Sequence, residues 1–97
     1  MKEITARELV VGTTAMMKVG SPVRQWLRVV RGGRKRWLTP LRYLPPQHLM
    51  QNEKLPRYVE VGIGALMLPY AIVYHHDGRD WVKLWVDTRK VTLYEPE

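Results

Sequence analysis

An alternation of apolar and polar positions recurs along much of the chain and predicts short β-strands. Residues 13–19 follow this pattern and end at the turn signal Gly20-Ser21-Pro22, so we expect a strand there. Because side chains on a strand alternate between two faces, such a segment can offer one face to a core.

Two short segments carry helix signals. Thr5 and Glu8 have the spacing of a capping box ahead of an apolar run that ends at Gly12, which predicts one or two helical turns. Pro46 is placed to begin a short helix over 47–52.

Residues 24–39 predict a β-hairpin that turns at Gly32-Gly33, because two glycines tolerate the positive φ angles of a two-residue turn. This loop would place Arg28 opposite Trp37. Since side chains alternate along each strand, one face of the hairpin would carry both tryptophans and two basic residues. The residues of that face are Trp26, Arg28, Val30, Lys35, Trp37 and Thr39.

The last third of the chain predicts a second hairpin, with strands over 70–76 and 79–86 joined by Asp77-Gly78, the signature of a type I′ turn. In that register each of two tyrosines on the first strand faces a tryptophan on the second. The pairs are Tyr74 with Trp81 and Tyr70 with Trp85.

A further turn near Thr88-Arg89 would return residues 91–94 as a third strand of this meander. One face of the meander would be aliphatic and suited to a core, and it consists of Ala71, Val73, Val82, Leu84, Val91 and Leu93. The opposite face would be aromatic and consists of Tyr70, Tyr74, Trp81, Trp85 and Tyr94.

These elements predict one mainly β domain over residues 1–97, built as a small antiparallel barrel or a strongly bent sheet, SH3-like, with one or two short helices. An α+β sheet covered by one helix is the alternative. Within the domain we distinguish a basic hairpin (24–39), a proline-rich connector (40–56) and a C-terminal meander (68–95). The chain contains no cysteine, so we expect its stability to come from packing.

The formal net charge of +7 is concentrated in the first part of the chain. Residues 1–58 hold twelve Lys/Arg and three acids, a net +9, whereas residues 59–97 hold four Lys/Arg and six acids, a net −2. Seven basic residues and no acid lie from Arg24 to Arg42. Such a field favours a polyanion or an acidic protein surface as partner, and a solubilising face is the alternative interpretation.

The basic hairpin therefore carries the leading functional hypothesis, binding of RNA or single-stranded DNA, because Arg and Lys neutralise phosphates and aromatic rings stack on bases. The candidate residues are Arg24, Trp26, Arg28, Arg31, Arg34, Lys35, Arg36, Trp37, Arg42 and Tyr43. In a purely structural interpretation the tryptophans instead fill the core, and Arg28 lies across Trp37. The alternative function is a small protein-binding factor or inhibitor, of phage or mobile-element type, that docks on an acidic or nucleic-acid-binding partner.

The aromatic face of the meander is the candidate surface for a protein partner or a second copy of the chain, because interfaces are rich in Tyr, Trp and Arg. Acidic residues nearby disfavour phosphate binding on this face. The competing expectation is that the short helix or the connector covers it.

The sequence is poor in catalytic and metal-binding groups. Ser21 is its only serine, and no phosphate-binding loop or nucleophile motif is present. His75 and His76 point to opposite faces of a strand, so they are poorly placed to share a metal ion, and His75 would instead pair with Asp80 across the hairpin. We expect a non-enzymatic protein without cofactor or metal. The lack of a signal peptide or a long apolar run predicts a cytoplasmic location without membrane contact.

Overall fold

A computed structural model describes residues 1–24, 26–28, 35–37, 41–45, 56–76 and 78–97, of which 26–28 and 35–37 are described through their backbone alone. These residues form ten strands: β1 (Glu3–Ile4), β2 (Thr14–Lys18), β3 (Pro22–Val23), β4 (Trp26–Arg28), β5 (Lys35–Trp37), β6 (Leu41–Arg42), β7 (Tyr58–Met67), β8 (Tyr70–His76), β9 (Trp81–Asp87) and β10 (Leu93–Tyr94). The protein is mainly β, as predicted.

Antiparallel pairing joins the strands into one large and two small sheets. The main sheet has six strands in the order β1-β10-β2-β7-β8-β9, and β3 pairs with β6 while β4 pairs with β5. The predicted strand over 13–19 is confirmed as β2. The longest strand, β7, lies near the middle of the main sheet and pairs with β2 on one side and β8 on the other.

One face of the main sheet forms the hydrophobic core. Alternate residues of the four longest strands are buried on it, and transfer of a valine or leucine side chain out of water stabilises by about 1.5–3 kcal/mol. The buried apolar residues of these strands on that face are Ala15, Met17, Val59, Val61, Ile63, Ala71, Val73, Leu84 and Val86. The predicted aliphatic face is thereby confirmed, since Val91 and Leu93 are also buried and Val82 packs against the cluster.

The predicted N-terminal helix is a single 3-10 turn over Ala6–Glu8. The Thr5 hydroxyl donates to the Glu8 carboxylate at 2.7 Å and makes no capping hydrogen bond to the backbone of the turn. This hydrogen bond lowers the pKa of Glu8. The expected helix over 47–52 lies outside the described residues.

The register of the second hairpin was predicted two residues out of place. Its loop spans four residues, 77–80, so His76 faces Trp81 and Ile72 faces Trp85. A shift of two leaves every side chain on its original face, and for that reason the alternation alone could not choose between the two registers. The predicted pair of His75 with Asp80 was wrong, because His75 faces Val82.

The third strand of the predicted meander was also wrong. After β9 the chain crosses to the far side of the sheet, where β10 pairs with β1 and β2. Four strand spacings separate β9 from β10, on the order of 19 Å in a flat sheet, yet only residues 88–92 connect them and three of these form a turn. The sheet must therefore be strongly bent.

The bent sheet stays open, since β1 and β9 are its two edges and do not pair with each other. A closed barrel is therefore not formed. The α+β alternative also fails within the described part of the chain, where the 3-10 turn is the one helical element. No helix among the described residues is long and apolar enough to cross a membrane.

Asp87 organises the turn that redirects the chain from β9 to β10. Its carboxylate accepts hydrogen bonds from the backbone N–H of Arg89 at 2.9 Å and from the Arg89 guanidinium at 3.0 Å. Its carbonyl accepts from the N–H of Val91 at 2.9 Å. The hydrogen bonds from Arg89 lower the pKa of Asp87 from 3.8 to about 2.

We expect this turn to make stability sensitive to acid. A carboxylate whose pKa is lowered by folding stabilises the fold above its unfolded pKa and loses that contribution as the pH falls towards the folded value. The contribution of Asp87 should thus be complete above about pH 4 and disappear towards pH 2. Urea unfolding across this range should show a shallower pH dependence for Asp87→Asn than for the wild type. Identical pH slopes in the two proteins would contradict this role.

Candidate functional site

The paired strands of the basic hairpin, β4 and β5, lie between β3 and β6 along the chain, and their register differs from the predicted one. Trp26 pairs with Trp37, Leu27 with Arg36 and Arg28 with Lys35. The predicted pair of Arg28 with Trp37 was therefore wrong by two residues. As in the second hairpin, the alternation is unchanged by an even shift, and the predicted Gly32-Gly33 turn lies outside the described residues.

The structure describes the side chains of three of the ten candidate residues. Arg42 is exposed on β6, Arg24 is half-buried and Tyr43 is buried in the core with its ring edge-on to His75 at 5.7 Å. Tyr43 thus offers no open face to a base. Of the other candidates, Arg31 and Arg34 lie outside the described residues, and the backbone alone is described for Trp26, Arg28, Lys35, Arg36 and Trp37.

A cationic groove lies where β2 and β7 reach the root of the basic hairpin. It has a volume of about 420 Å³ and is lined by Lys18, Val19, Pro56, Arg57 and Tyr58. Both of its basic side chains are exposed, and neither forms an ion pair with the described residues. No carboxylate is among the described residues that line it, so the charge that these residues contribute is positive.

Gly20 forms the turn beside which the Arg42 side chain lies. It follows β2 with a φ of 87°, a conformation that glycine adopts without strain. Its N–H donates to the Tyr43 carbonyl at 2.8 Å, which ties the end of β2 to the end of β6. Arg42 Cδ lies 3.7 Å from the position that a Cβ of Gly20 would occupy, so the Arg42 side chain runs beside the turn. The root of the hairpin therefore carries an exposed arginine beside the turn that follows Lys18 and Val19.

Beyond the cationic groove, β7 and β8 separate. Pairing of β7 with β2 extends to Tyr58, whereas its pairing with β8 stops at Gly62 and Tyr74. Across the gap the Glu60 carbonyl accepts a hydrogen bond from His75 Nδ1 at 3.0 Å, which places the proton on that nitrogen. The buried imidazole thus takes the position of a missing strand-to-strand hydrogen bond.

The gap between these strands is a cavity of about 360 Å³ that lies between the cationic groove and a second groove, which we call the aromatic groove. It shares Pro56 and Tyr58 with the cationic groove. It shares four residues, Thr14, Gly62, Tyr74 and Trp81, with the aromatic groove, which is shallow, apolar and about 520 Å³ in volume on the outer face of the sheet. Through these shared lining residues the three cavities border one another and mark a path along β7.

The aromatic end of this path has Trp81 as its wall and Gly62 as its floor. Trp81 is 68% exposed and meets the His76 ring edge-on at 5.0 Å. At Gly62 a Cβ would have no heavy atom nearer than the Tyr74 carbonyl oxygen at 4.0 Å, so the floor is open. The indole of Trp81 consequently borders an unfilled apolar groove.

The outer face of the sheet is divided between a covered and an open half. Trp85 is 5% exposed, and the backbone of Arg24 pairs with it at 2.8 and 2.9 Å along the edge of β9. Tyr70, Tyr74 and Tyr94 are half-buried. Trp85 is thus buried where the segment entering the basic hairpin runs along β9, and the cover by the short helix or the connector stays a prediction. Trp81 remains open.

A metal site finds no support in the described part of the chain, where no group of three or more His, Asp or Glu side chains could hold an ion. His75 is buried and His76 is exposed, in keeping with their opposite faces.

Sequence reasoning missed Lys18, Arg57 and Tyr58, because the topology of the sheet brings them together from distant parts of the chain. No protein-family model, curated protein or solved structure matches the chain.

Proposed function

We propose that this protein binds RNA or single-stranded DNA through the cationic groove and the basic hairpin that projects beside it. The observation that carries the proposal is an open groove lined by the exposed Lys18 and Arg57, with the exposed Arg42 beside the Gly20 turn that follows β2. Lysine and arginine at such a surface bind phosphates and displace condensed counterions.

The sequence of the basic hairpin adds positive charge next to Arg42. It carries Arg24, Arg28, Arg31, Arg34, Lys35 and Arg36. The exposed position of Arg42 at its root supports a positive field that continues from the groove into the hairpin. Tyr58 lines the groove beside these cations and is half-buried, with its ring edge-on to Tyr94 at 5.4 Å. A fixed aromatic ring next to basic groups is the combination that single-strand binding proteins use.

In this proposal the protein is a cytoplasmic binding protein without catalytic activity, and its bent sheet belongs among the small SH3-like folds. Such sheets serve as scaffolds for many unrelated sites, so the fold contributes little to the choice of ligand.

Charge removal at the groove provides the test. We expect Lys18→Ala, Arg42→Ala and Arg57→Ala together to weaken binding of a labelled oligonucleotide. The slope of log K against log[salt] should fall by about 0.7 for each phosphate that is no longer neutralised. Fluorescence anisotropy across a series of salt concentrations measures both quantities.

Lys2→Ala, Arg7→Ala and Lys90→Ala together form the matched control, because they remove the same charge from exposed positions outside the groove. If both triple variants weaken oligonucleotide binding equally, binding depends on the overall positive charge of the protein and not on the cationic groove. Absence of binding by the wild type at low salt would remove the proposal in favour of a protein-binding factor or inhibitor, which a stoichiometric partner in a pull-down would then identify.

A further inference from the structure

We propose that Trp81 is a base-stacking platform and that the path from the cationic groove to Trp81 holds one strand of nucleic acid, with its phosphates at the cationic end and a base against the indole. This inference depends on the proposed function and deepens it. It assigns Trp81 a role in nucleic-acid binding, which its acidic sequence neighbourhood did not predict.

Exposure of Trp81 is the first support. A tryptophan buries a large apolar area when it packs into a fold, and Trp85 on the same strand and the same face does so. Trp81 instead leaves 68% of its surface to solvent. Its contact with His76 is edge-on, with 77° between the ring planes, and therefore does not stack a ring on either face of the indole.

The position of the aromatic groove next to the cationic groove indicates the class of ligand. The path passes from Lys18 and Arg57 to Trp81 through a gap with Tyr58 at one end and Tyr74 at the other. From Tyr58 to Gly62 it follows four residues of β7, about 13 Å, enough for roughly four nucleotides at a stacked spacing of about 3.4 Å. A chain with anionic and aromatic parts at this spacing matches a single nucleic-acid strand.

Charges at the aromatic end are compatible with this ligand. Lys83 is exposed on the same face as Trp81, two residues further along β9, and it lies opposite Tyr74. Glu60 is the exposed carboxylate of the gap. We expect a base and not a phosphate at this point, because a carboxylate repels a phosphate but leaves stacking on a neighbouring ring intact.

Stacking on Trp81 requires a base with a free face, and the bases of a duplex are stacked on each other. The wild type should therefore bind a single-stranded oligonucleotide of about twelve residues more tightly than a duplex of the same sequence. Trp81→Ala should weaken single-strand binding about five- to 150-fold, without changing the salt slope, because it removes no phosphate contact. Trp81→Phe should retain much of the affinity.

Met67→Ala is the matched control, since Met67 is an exposed apolar residue at the other end of β7, outside the groove. Its affinity should equal that of the wild type. Light scattering of the wild type and of Trp81→Ala tests whether Trp81 instead joins two copies of the chain.

The outcomes separate this inference from the proposed function. A loss of affinity in Trp81→Ala with an unchanged salt slope supports the stacking role. Unchanged binding in that variant, together with weakened binding in the cationic-groove triple variant, overturns the stacking role and leaves the proposed function in place. A wild-type dimer that dissociates in Trp81→Ala also overturns it, because the indole is then covered by a second copy. Failure of the wild type to bind any oligonucleotide overturns both.

Discussion

Replacement of Trp85 by alanine should lower the free energy of unfolding by about 3–5 kcal/mol, the range observed when a large buried aromatic side chain is removed. Trp85 is 5% exposed and lies opposite the buried Ile72, with the Tyr70 ring edge-on at 6.5 Å. The truncation would leave a cavity beside Ile72 and Tyr70 of β8. Denaturant unfolding monitored by circular dichroism measures the change.

Trp81→Ala is the matched control, because both tryptophans lie on the same face of β9, four residues apart. Truncation of the exposed Trp81 should lower the free energy of unfolding by about 1 kcal/mol or less. Loss of the ring contact with His76 accounts for part of this change. If Trp85→Ala does not fold, Trp85→Phe should fold with an intermediate stability, because it keeps an aromatic ring at the site. Equal destabilisation at the two positions would contradict the division of the outer face into a covered and an open half.

The faces of the strands could be predicted from the sequence, but their registers could not. Alternation placed Val73 and Leu84 in the core and Trp81 on the outer face, and all three are found there. It is insensitive to a shift of two residues, and both hairpins were misplaced by that amount. Loop length decides the register, and a local glycine signal such as Asp77-Gly78 is compatible with a two-residue or a four-residue loop.

The order of the strands required long-range information. β10 was expected beside β9 because neighbouring segments usually pair. It lies instead between β1 and β2, where Leu93 faces Met17. Val91 and Leu93 are buried as expected, so the hydrophobic pattern was correct while the pairing partner was not. A pattern of buried positions does not specify which strand lies alongside.

The candidate site was predictable in its charge but not in its geometry. The excess of basic residues from Arg24 to Arg42 identified the basic hairpin as the candidate, and Arg42, one of its predicted residues, is exposed. Lys18 is the last residue of β2 and Arg57 directly precedes β7, so their meeting depends on the pairing of β2 with β7. The sequence placed Trp85 and Trp81 on the same aromatic face and did not indicate which of them is buried. In the structure, the backbone of Arg24 pairs with that of Trp85 along β9, which distinguishes the two.

Replacement of Gly64 by alanine should destabilise the protein by about 1–3 kcal/mol, the usual cost of overpacking. Gly64 lies at an irregularity of β7, where the register with β8 shifts between Ile63 and Ala65. A Cβ at this position would lie 2.6 Å from Tyr74 Cδ2 and would also overlap Tyr74 Cε2. The Tyr74 ring therefore has to leave its place beside the aromatic groove, and thermal unfolding should report the cost.

Gly62→Ala provides the control two residues away on the same strand. The new methyl group would have 4.0 Å to its nearest neighbour, so the variant should be neutral or more stable by up to about 1 kcal/mol, since glycine is unfavourable within a strand. Combining Gly64→Ala with Tyr74→Ala removes the clashing ring, and Gly64→Ala should then cost little in that background. The difference between the two backgrounds measures a coupling of about 0.5–3 kcal/mol. If Gly64→Ala lowers the free energy of unfolding by the same amount in the Tyr74→Ala background, then the strand itself, and not Tyr74, requires glycine at this position.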